Sequence, residues 1–293
     1  MTTEEQLKPK PLIIESIERM PNLSPTVAKV LALVNDPDSS ARDLIRVIQI
    51  DPVLTGKVLS LCNSAYFGIR KRISSVARAT VLLGMNTIKN LALTSAVLAL
   101  FSTAPRKARF DSSAFWEHSL GCAVGCRLIA AMLKFAPAIQ EEFFVAGLLH
   151  DSGRLVVVHQ LPDRYREIVD AASESDRSVL EIEEEVLGGP HTEIGFLLGK
   201  KWKLAEHLSM AILHHHNPTE AEKFVELAAG CHIADVYCER TGIGVGGDTA
   251  DTKDLKEASA RLGKDLKEVI TVLHEKMEAE MGKASIFLVR RTA

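Results

Sequence analysis

Apolar residues recur at three- and four-residue intervals along almost the whole chain, and alternating β-branched runs are scarce. That period predicts helices over residues 26–34, 41–48, 53–60, 77–83 and 86–101. Ser24-Pro25, Ser39-Ser40 and Asp51-Pro52 supply cap and first-turn signals for the first three, and Gly84 separates the last two. Further helices are expected over 113–133, 141–149, 162–173, 178–187, 191–200, 205–214 and 222–240, broken by Gly188-Gly189-Pro190 and Asn217-Pro218. A charged amphipathic helix over 255–281 carries an apolar stripe of Leu262, Leu266, Ile270 and Leu273. It reads as a docking helix, with a homodimer surface as the alternative. The expected fold class is all-α, in two lobes.

Ser102-Thr103-Ala104-Pro105 and the charged residues after it form the clearest boundary. The expected units are an N-terminal helical lobe over 1–105, a second helical lobe over 106–245, and a C-terminal helix and tail over 246–293. Residues 241–248 read as a flexible glycine loop. Its glycines do not follow a strand, so it is a poor phosphate cradle.

Composition narrows the function classes. A chain of 293 residues with 46% hydrophobic and 25% charged residues can bury a substantial core. Its net charge of −3 and lack of a basic arm give no reason to expect nucleic-acid binding. Arg70-Lys71-Arg72 is a small cluster that a solvated loop explains. The acidic first residues lack a signal-peptide layout, and the longest apolar stretch, 91–101, is too short to cross a bilayer. A cytoplasmic protein without a membrane partner is expected.

The 5 cysteines form no Cys-x-x-Cys pair, which argues against a disulfide framework. His118, Cys122 and Cys126 share one helix face, as do Cys231, Asp235 and Cys238. The preferred reading is that these cysteines are small buried residues that let helices approach closely. The alternative makes them soft-metal ligands.

The chemistry concentrates around Gly147-Leu148-Leu149-His150-Asp151-Ser152-Gly153. Imidazole and carboxylate hold a borderline divalent metal while leaving positions for water or substrate. Further ligand-type residues follow the order His118, His150-Asp151, His191, His215-His216, Asp235. Each gap is long enough for a separate helix to deliver its ligand to a shared centre. A structural zinc knuckle would keep its ligands in close pairs instead.

The core set is His118, His150, Asp151 and Asp235, with Asp151 bridging to a second ion on His191 and His215. His216 completes or orients that second site, and His214 is the least suited of the triplet. His159, His207, His232 and His274 default to surface or satisfied core positions. The competing reading is a relict site whose polar groups hydrogen-bond one another. Burying several imidazoles and two carboxylates unpaired would cost several kcal/mol, whereas one or two divalent transition-metal ions (Fe, Mn or Zn) would satisfy them together.

Met20-Pro21, Asp51-Pro52-Val53-Leu54-Thr55, Asn63-Ser64-Ala65-Tyr66-Phe67 and Leu83-Gly84 resemble the N-terminal signature of the bacterial HDOD module, the HD-related output domain. Phe115-Trp116, the His150-Asp151 motif, His191-Thr192-Glu193-Ile194-Gly195, Trp202-Lys203-Leu204 and His215-His216-Asn217-Pro218 resemble its second half. The resemblance covers roughly residues 13–240. It implies an all-α protein whose second lobe is built like the metal-dependent phosphohydrolases of the HD superfamily. Members act as signalling or regulatory output modules and generally lack phosphohydrolase activity.

On that resemblance, this chain keeps a ligand-type residue at every metal position of the superfamily. It departs from the active enzymes where Ser152-Gly153-Arg154 replaces Ile-Gly-Lys, and where Ala205 replaces the proline of Trp-x-Leu-Pro. Arginine binds phosphate but is not equivalent to lysine. The implied function is regulatory, through a protein partner in a signalling pathway or a nucleotide ligand. If the site is active, Asp151 and Arg154 are the catalytic candidates, acting on a nucleotide or cyclic dinucleotide. Asn63 to Phe67 reads as packing between the lobes, with a locking cap as the alternative.

Overall fold

The computed structural model describes residues 10–34, 36, 38–101, 104–175, 177–244 and 252–288, and every regular element among them is helical. The all-α expectation therefore holds. Six helices come first: α1 (Pro11–Arg19), α2 (Pro25–Val34), α3 (Ala41–Gln49), α4 (Pro52–Cys62), α5 (Val76–Leu83) and α6 (Met85–Leu100). Their starts follow the capping chemistry of the sequence. Ser40 and Asp43 form a reciprocal capping box on α3, Asp51 accepts from the amides of Val53 and Leu54, and Ser75 accepts from Arg78.

Ten helices follow: α7 (Ser112–Met132), α8 (Pro137–Leu149), α9 (Ser152–Gln160), α10 (Pro162–Ser173), α11 (Val179–Val186), α12 (His191–Trp202), α13 (Glu206–His214), α14 (Val225–Thr241), α15 (Thr252–Arg261) and α16 (Leu266–Ala284). Helix α7 is the axis of this half, with α8, α14 and α16 packed against it. Helices α9, α12 and α13 form a second layer, and α6 packs on α8 to join the two halves. One continuous apolar core runs from Ile13 to Phe287.

Three sequence expectations need correction. Helix α9 was not anticipated, because Leu155 to Val158 are all buried and a helix buried on every side has no amphipathic period to read. Helix α1 was also missed. It docks on α9 and α12, where Lys201 Nζ donates to the carbonyls of Ile17, Glu18 and Met20 at its C-terminal end. The single helix expected over 255–281 is two helices. Gly263, at φ +63°, turns the chain between them. The buried face of α16 includes Val269, Leu273 and Met277; of the expected stripe Leu262 and Leu273 are buried, and Leu266 and Ile270 pack half-buried against the core. The face packs on α7, as a docking helix should. Residues 245–248 of the glycine loop and Ser102-Thr103 of the expected boundary lie outside the described residues.

Asn63 closes its loop by donating to the carbonyls of Leu59 and Ile73 while its Oδ1 accepts from the Ile73 amide. This presents Tyr66 to the second half. Its ring packs against Phe67, Phe144 and Phe287, with the Arg127 guanidinium 4.3 Å from its centroid. The Tyr66 hydroxyl donates to Glu141, which also faces Arg127 at 3.3 Å. Both readings of this segment contribute: packing dominates, and the hydroxyl adds a polar tie.

Burial pushes the Glu141 carboxyl up from 4.5 to about 7, against the opposing pull of Arg127 and Tyr66. The native state then holds a proton that the unfolded chain has released between pH 4.5 and 7. Stability from this group falls as pH rises through that window and levels out above it, by about 3 kcal/mol in total. Glu141→Gln is expected to flatten that part of the profile in urea melts. An unchanged profile would refute the assignment.

Candidate metal centre

Helix ends build this centre. His118 lies inside α7 and Asp235 inside α14, but His150 is the C-cap of α8, Asp151 precedes α9, His191 is the first residue of α12 and His215 is the C-cap of α13. Asp151 occupies an N-cap position like Asp51, Asp111 and Asp265. Those three accept backbone amides of their helices, whereas the Asp151 side chain makes no cap bond. Its carboxylate faces the histidines instead.

Two ligand groups result. His118, Cys122, His150 and Asp235 form one, and Asp151, His191, His215 and His216 form the other; within each, the donor atoms lie within 4.8 Å of one another. In the first group, Asp235 Oδ1 is 2.9 Å from His118 Nε2 and 3.6 Å from His150 Nε2. In the second, Asp151 Oδ1 is 3.1 Å from His191 Nε2 and 3.7 Å from His215 Nε2. His216 Nε2 lies 3.2 Å from His191 Nε2. Asp151 also joins the groups, since its Oδ2 is 3.5 Å from His150 Nε2. The seven candidates read from the sequence thus converge on one place, and the His150-Asp151 doublet straddles both groups rather than serving one. His214 belongs to neither group.

The orientation of the rings is the informative feature. His150 Nδ1 lies 2.7 Å from the Gly147 carbonyl, His215 Nδ1 2.8 Å from the Ile212 carbonyl, and His118 Nδ1 3.3 Å from the Ile243 carbonyl. His191 Nδ1 lies 2.7 Å from Glu183 Oε2. Each Nδ1 faces only an acceptor, so each carries its proton there and donates outward. In the neutral rings, every Nε2 then points a lone pair inward, toward other Nε2 atoms and two carboxylates. His150 Nε2 and Asp151 Oδ1 are buried without a hydrogen-bond partner. A pocket of facing acceptors needs a cation between them.

Without a metal, protons meet that need. Burial alone would lower His150, but Asp151 and Asp235 outweigh it and lift its pKa to about 10. Burial likewise opposes Glu183 at His191, which still rises to about 9. His215 is pushed down to about 4, chiefly by burial, and His216 well below its usual range. Despite burial, Arg154 and His150 hold Asp151 well below the carboxylate range, and His118 and His150 do the same for Asp235. One dication displacing the His150 and His191 protons would leave the net charge of the pocket unchanged.

The outer partners were not read from the sequence. Glu183 accepts from both the His191 amide and its ring, at 2.8 and 2.7 Å, and is fully enclosed. Its signal was present: Val179, Ile182, Glu183 and Val186 fall on one helix face, placing an acid on an apolar stripe. Ile243 belongs to the segment that reads as a flexible glycine loop, yet its carbonyl orients His118. Gly244, at φ +72°, passes so close to α7 that a Cβ would lie 2.5 Å from the His118 amide nitrogen. His232, expected at a surface or satisfied core position, is buried; its Nδ1 donates to the His215 carbonyl at 2.8 Å, and its Nε2 has no hydrogen-bond partner. Arg154 Nε sits 3.2 Å from Asp151 Oδ1.

The donor set fits a borderline divalent metal: imidazoles, carboxylates and outer carboxylate or carbonyl partners in the arrangement that metal-binding histidines favour. Known proteins agree with the architecture. The family model for the HDOD domain matches residues 20–218. An HDOD domain protein of unknown function from Geobacter sulfurreducens is 27% identical, with a TM-score of 0.79 over 95% of this chain and 98% of that one. A Shewanella amazonensis SB2B protein provisionally named a phosphohydrolase is 29% identical, with a TM-score of 0.72 over 93% and 97% of the two chains. An uncharacterized protein of Treponema pallidum (strain Nichols) is 24% identical over 230 residues, or 76% of this chain. The chain spans 43% of that curated relative's length.

Proposed function

Because the chain belongs to the HDOD family, we propose that it is a cytoplasmic regulatory protein of signal transduction whose HD-type pocket holds one or two divalent transition-metal ions. Its ligands are His118, His150, Asp151, His191, His215, His216 and Asp235, with Fe, Mn or Zn as the candidate metals. Output runs through a protein partner or a nucleotide ligand. The inward-facing acceptors carry the metal part of this reading, since protons or a metal must hold them together. No described helix is long and apolar enough to cross a membrane.

Enclosure supports regulation over turnover. The side chains of His118, His150, Asp151, His191, His215 and Asp235 are at most 5% exposed, while His216 and Arg154 reach 10% and 15%. Arg154 is drawn onto Asp151, where a phosphoester would have to approach. A bound ion in such a pocket supplies Lewis acidity and lowers the pKa of coordinated water. The second reading, a metal-dependent phosphohydrolase using Asp151 and Arg154, rests on the likeness to the Shewanella protein.

The two readings separate in one experiment. Purified protein is analysed for metal, reloaded with Mn²⁺ or Fe²⁺, and assayed against a panel of nucleotides and cyclic dinucleotides. The expected result is stoichiometric metal without turnover. Turnover that is lost in Arg154→Ala would replace the regulatory reading with the enzymatic one, and absence of metal would defeat both.

A further inference from the structure

Cys122 stands apart from the other cysteines. All five thiols are free and buried. Cys126 and Cys231 face each other with Sγ atoms 3.7 Å apart, which is packing between α7 and α14. Cys122 Sγ is 3.5 Å from His118 Nε2 and 4.0 Å from Asp235 Oδ1, and it is the thiol that joins a ligand group among the described residues. The i, i+4 spacing on α7 places His118 and Cys122 one above the other, aimed at the same point.

Metal geometry makes these separations meaningful. With Zn–N near 2.0 Å and Zn–S near 2.3 Å, the ligand atoms of a tetrahedral zinc site lie roughly 3.3–3.6 Å apart. The Cys122–His118 and His150–Asp235 separations, 3.5 and 3.6 Å, match those edges; His118–Asp235 and Cys122–Asp235 stand at 2.9 and 4.0 Å, and all the donor atoms of the group lie within 4.8 Å of one another. Ionised Cys122 and Asp235 together carry two negative charges, enough to neutralise one dication.

Resting on the metal reading above, we propose that Cys122 is a thiolate ligand of the first ion, together with His118, His150 and Asp235. The thiol releases its proton to solvent as the metal enters. Two consequences follow. Thiolate selects Zn²⁺ or Fe²⁺ over Mn²⁺, because the harder Mn²⁺ favours oxygen donors. Four protein ligands also close the coordination shell, and sulfur takes the position that a hydrolytic site leaves for water. The first ion is then a structural or sensing metal, not a source of hydroxide.

Cobalt is the probe. The full chain is stripped, reloaded with Co²⁺, and examined for the near-ultraviolet thiolate-to-cobalt charge-transfer band, with bound metal measured in parallel. The wild type is expected to show the band and Cys122→Ser to lack it while still binding cobalt. The triple variant Cys126→Ala, Cys231→Ala, Cys238→Ala keeps Cys122 and is expected to retain the band, so the assignment stands even if Cys122→Ser fails to fold. Zinc and manganese competition should show at least about a tenfold loss of zinc preference in Cys122→Ser. Cobalt bound without the band in wild type, or a band lost in the triple variant, overturns the thiolate while leaving the metal reading intact. No cobalt bound at all overturns both.

Discussion

Gly153→Ala is expected to destabilise the protein by about 4 kcal/mol or more, a loss reserved for severe core defects. A Cβ at this position would lie 1.9 Å from the His191 carbonyl oxygen and 2.7 Å from the Gly195 nitrogen. Both are backbone atoms, so no rotamer change relieves the contact. Helix α9 would have to move away from α12, and α12 begins with His191. The melting temperature should fall by roughly 8–16 °C, and bound metal should fall with it because His191 and Asp151 separate. Thermal and urea melts read the first effect and metal analysis the second. A variant within about 1 kcal/mol of wild type would mean that the two helices can part without consequence.

The second large effect is expected at Asp151. Saturating wild type with metal at about a thousand times its dissociation constant should stabilise it by about 4 kcal/mol, again roughly 8–16 °C in melting temperature. In Asp151→Asn the amide keeps the shape but loses the charge, and its NH₂ can donate to the neutral histidines that formerly faced an acceptor. The second group is then satisfied without a cation. The metal-induced shift should lose the part that the second ion contributes, with bound metal lost from the group of His191, His215 and His216 and kept in the group of His118, Cys122, His150 and Asp235. A shift equal to that of wild type would show that Asp151 contributes nothing to binding.

Legibility in the sequence divided along physical lines. The amphipathic helices announced themselves, and residues 162–173 were placed at their observed limits, because half-exposed helices carry a period and their caps are local. Helix α9 did not announce itself, since burial on all sides erases the period. The seven candidate ligands could be gathered because imidazoles and carboxylates are conspicuous beside apolar runs. Their partition was hidden: which of His150 and Asp151 turns toward which group is settled by two helix ends meeting, a matter of backbone direction. Glu183 was concealed among Glu181, Glu184 and Glu185, where only helical phase distinguishes the buried acid from the solvated ones. In the sequence Cys122 reads as a small packing residue like Cys126, yet one turn of α7 separates a ligand-group member from a spacer.

The pairing of His118 with Asp235, 2.9 Å apart, bears on how the molecule is made. These are the first and the last of the candidate ligands to leave a ribosome. A growing chain therefore carries every inward-facing imidazole before the carboxylate that completes the first group exists, and until then α14 cannot cover α7. Contacts between such distant parts of a chain form late and slowly. If the centre holds metal as proposed, its capture belongs to the end of synthesis, and a chain that stops short of residue 235 keeps an open groove along α7 where the centre would have closed.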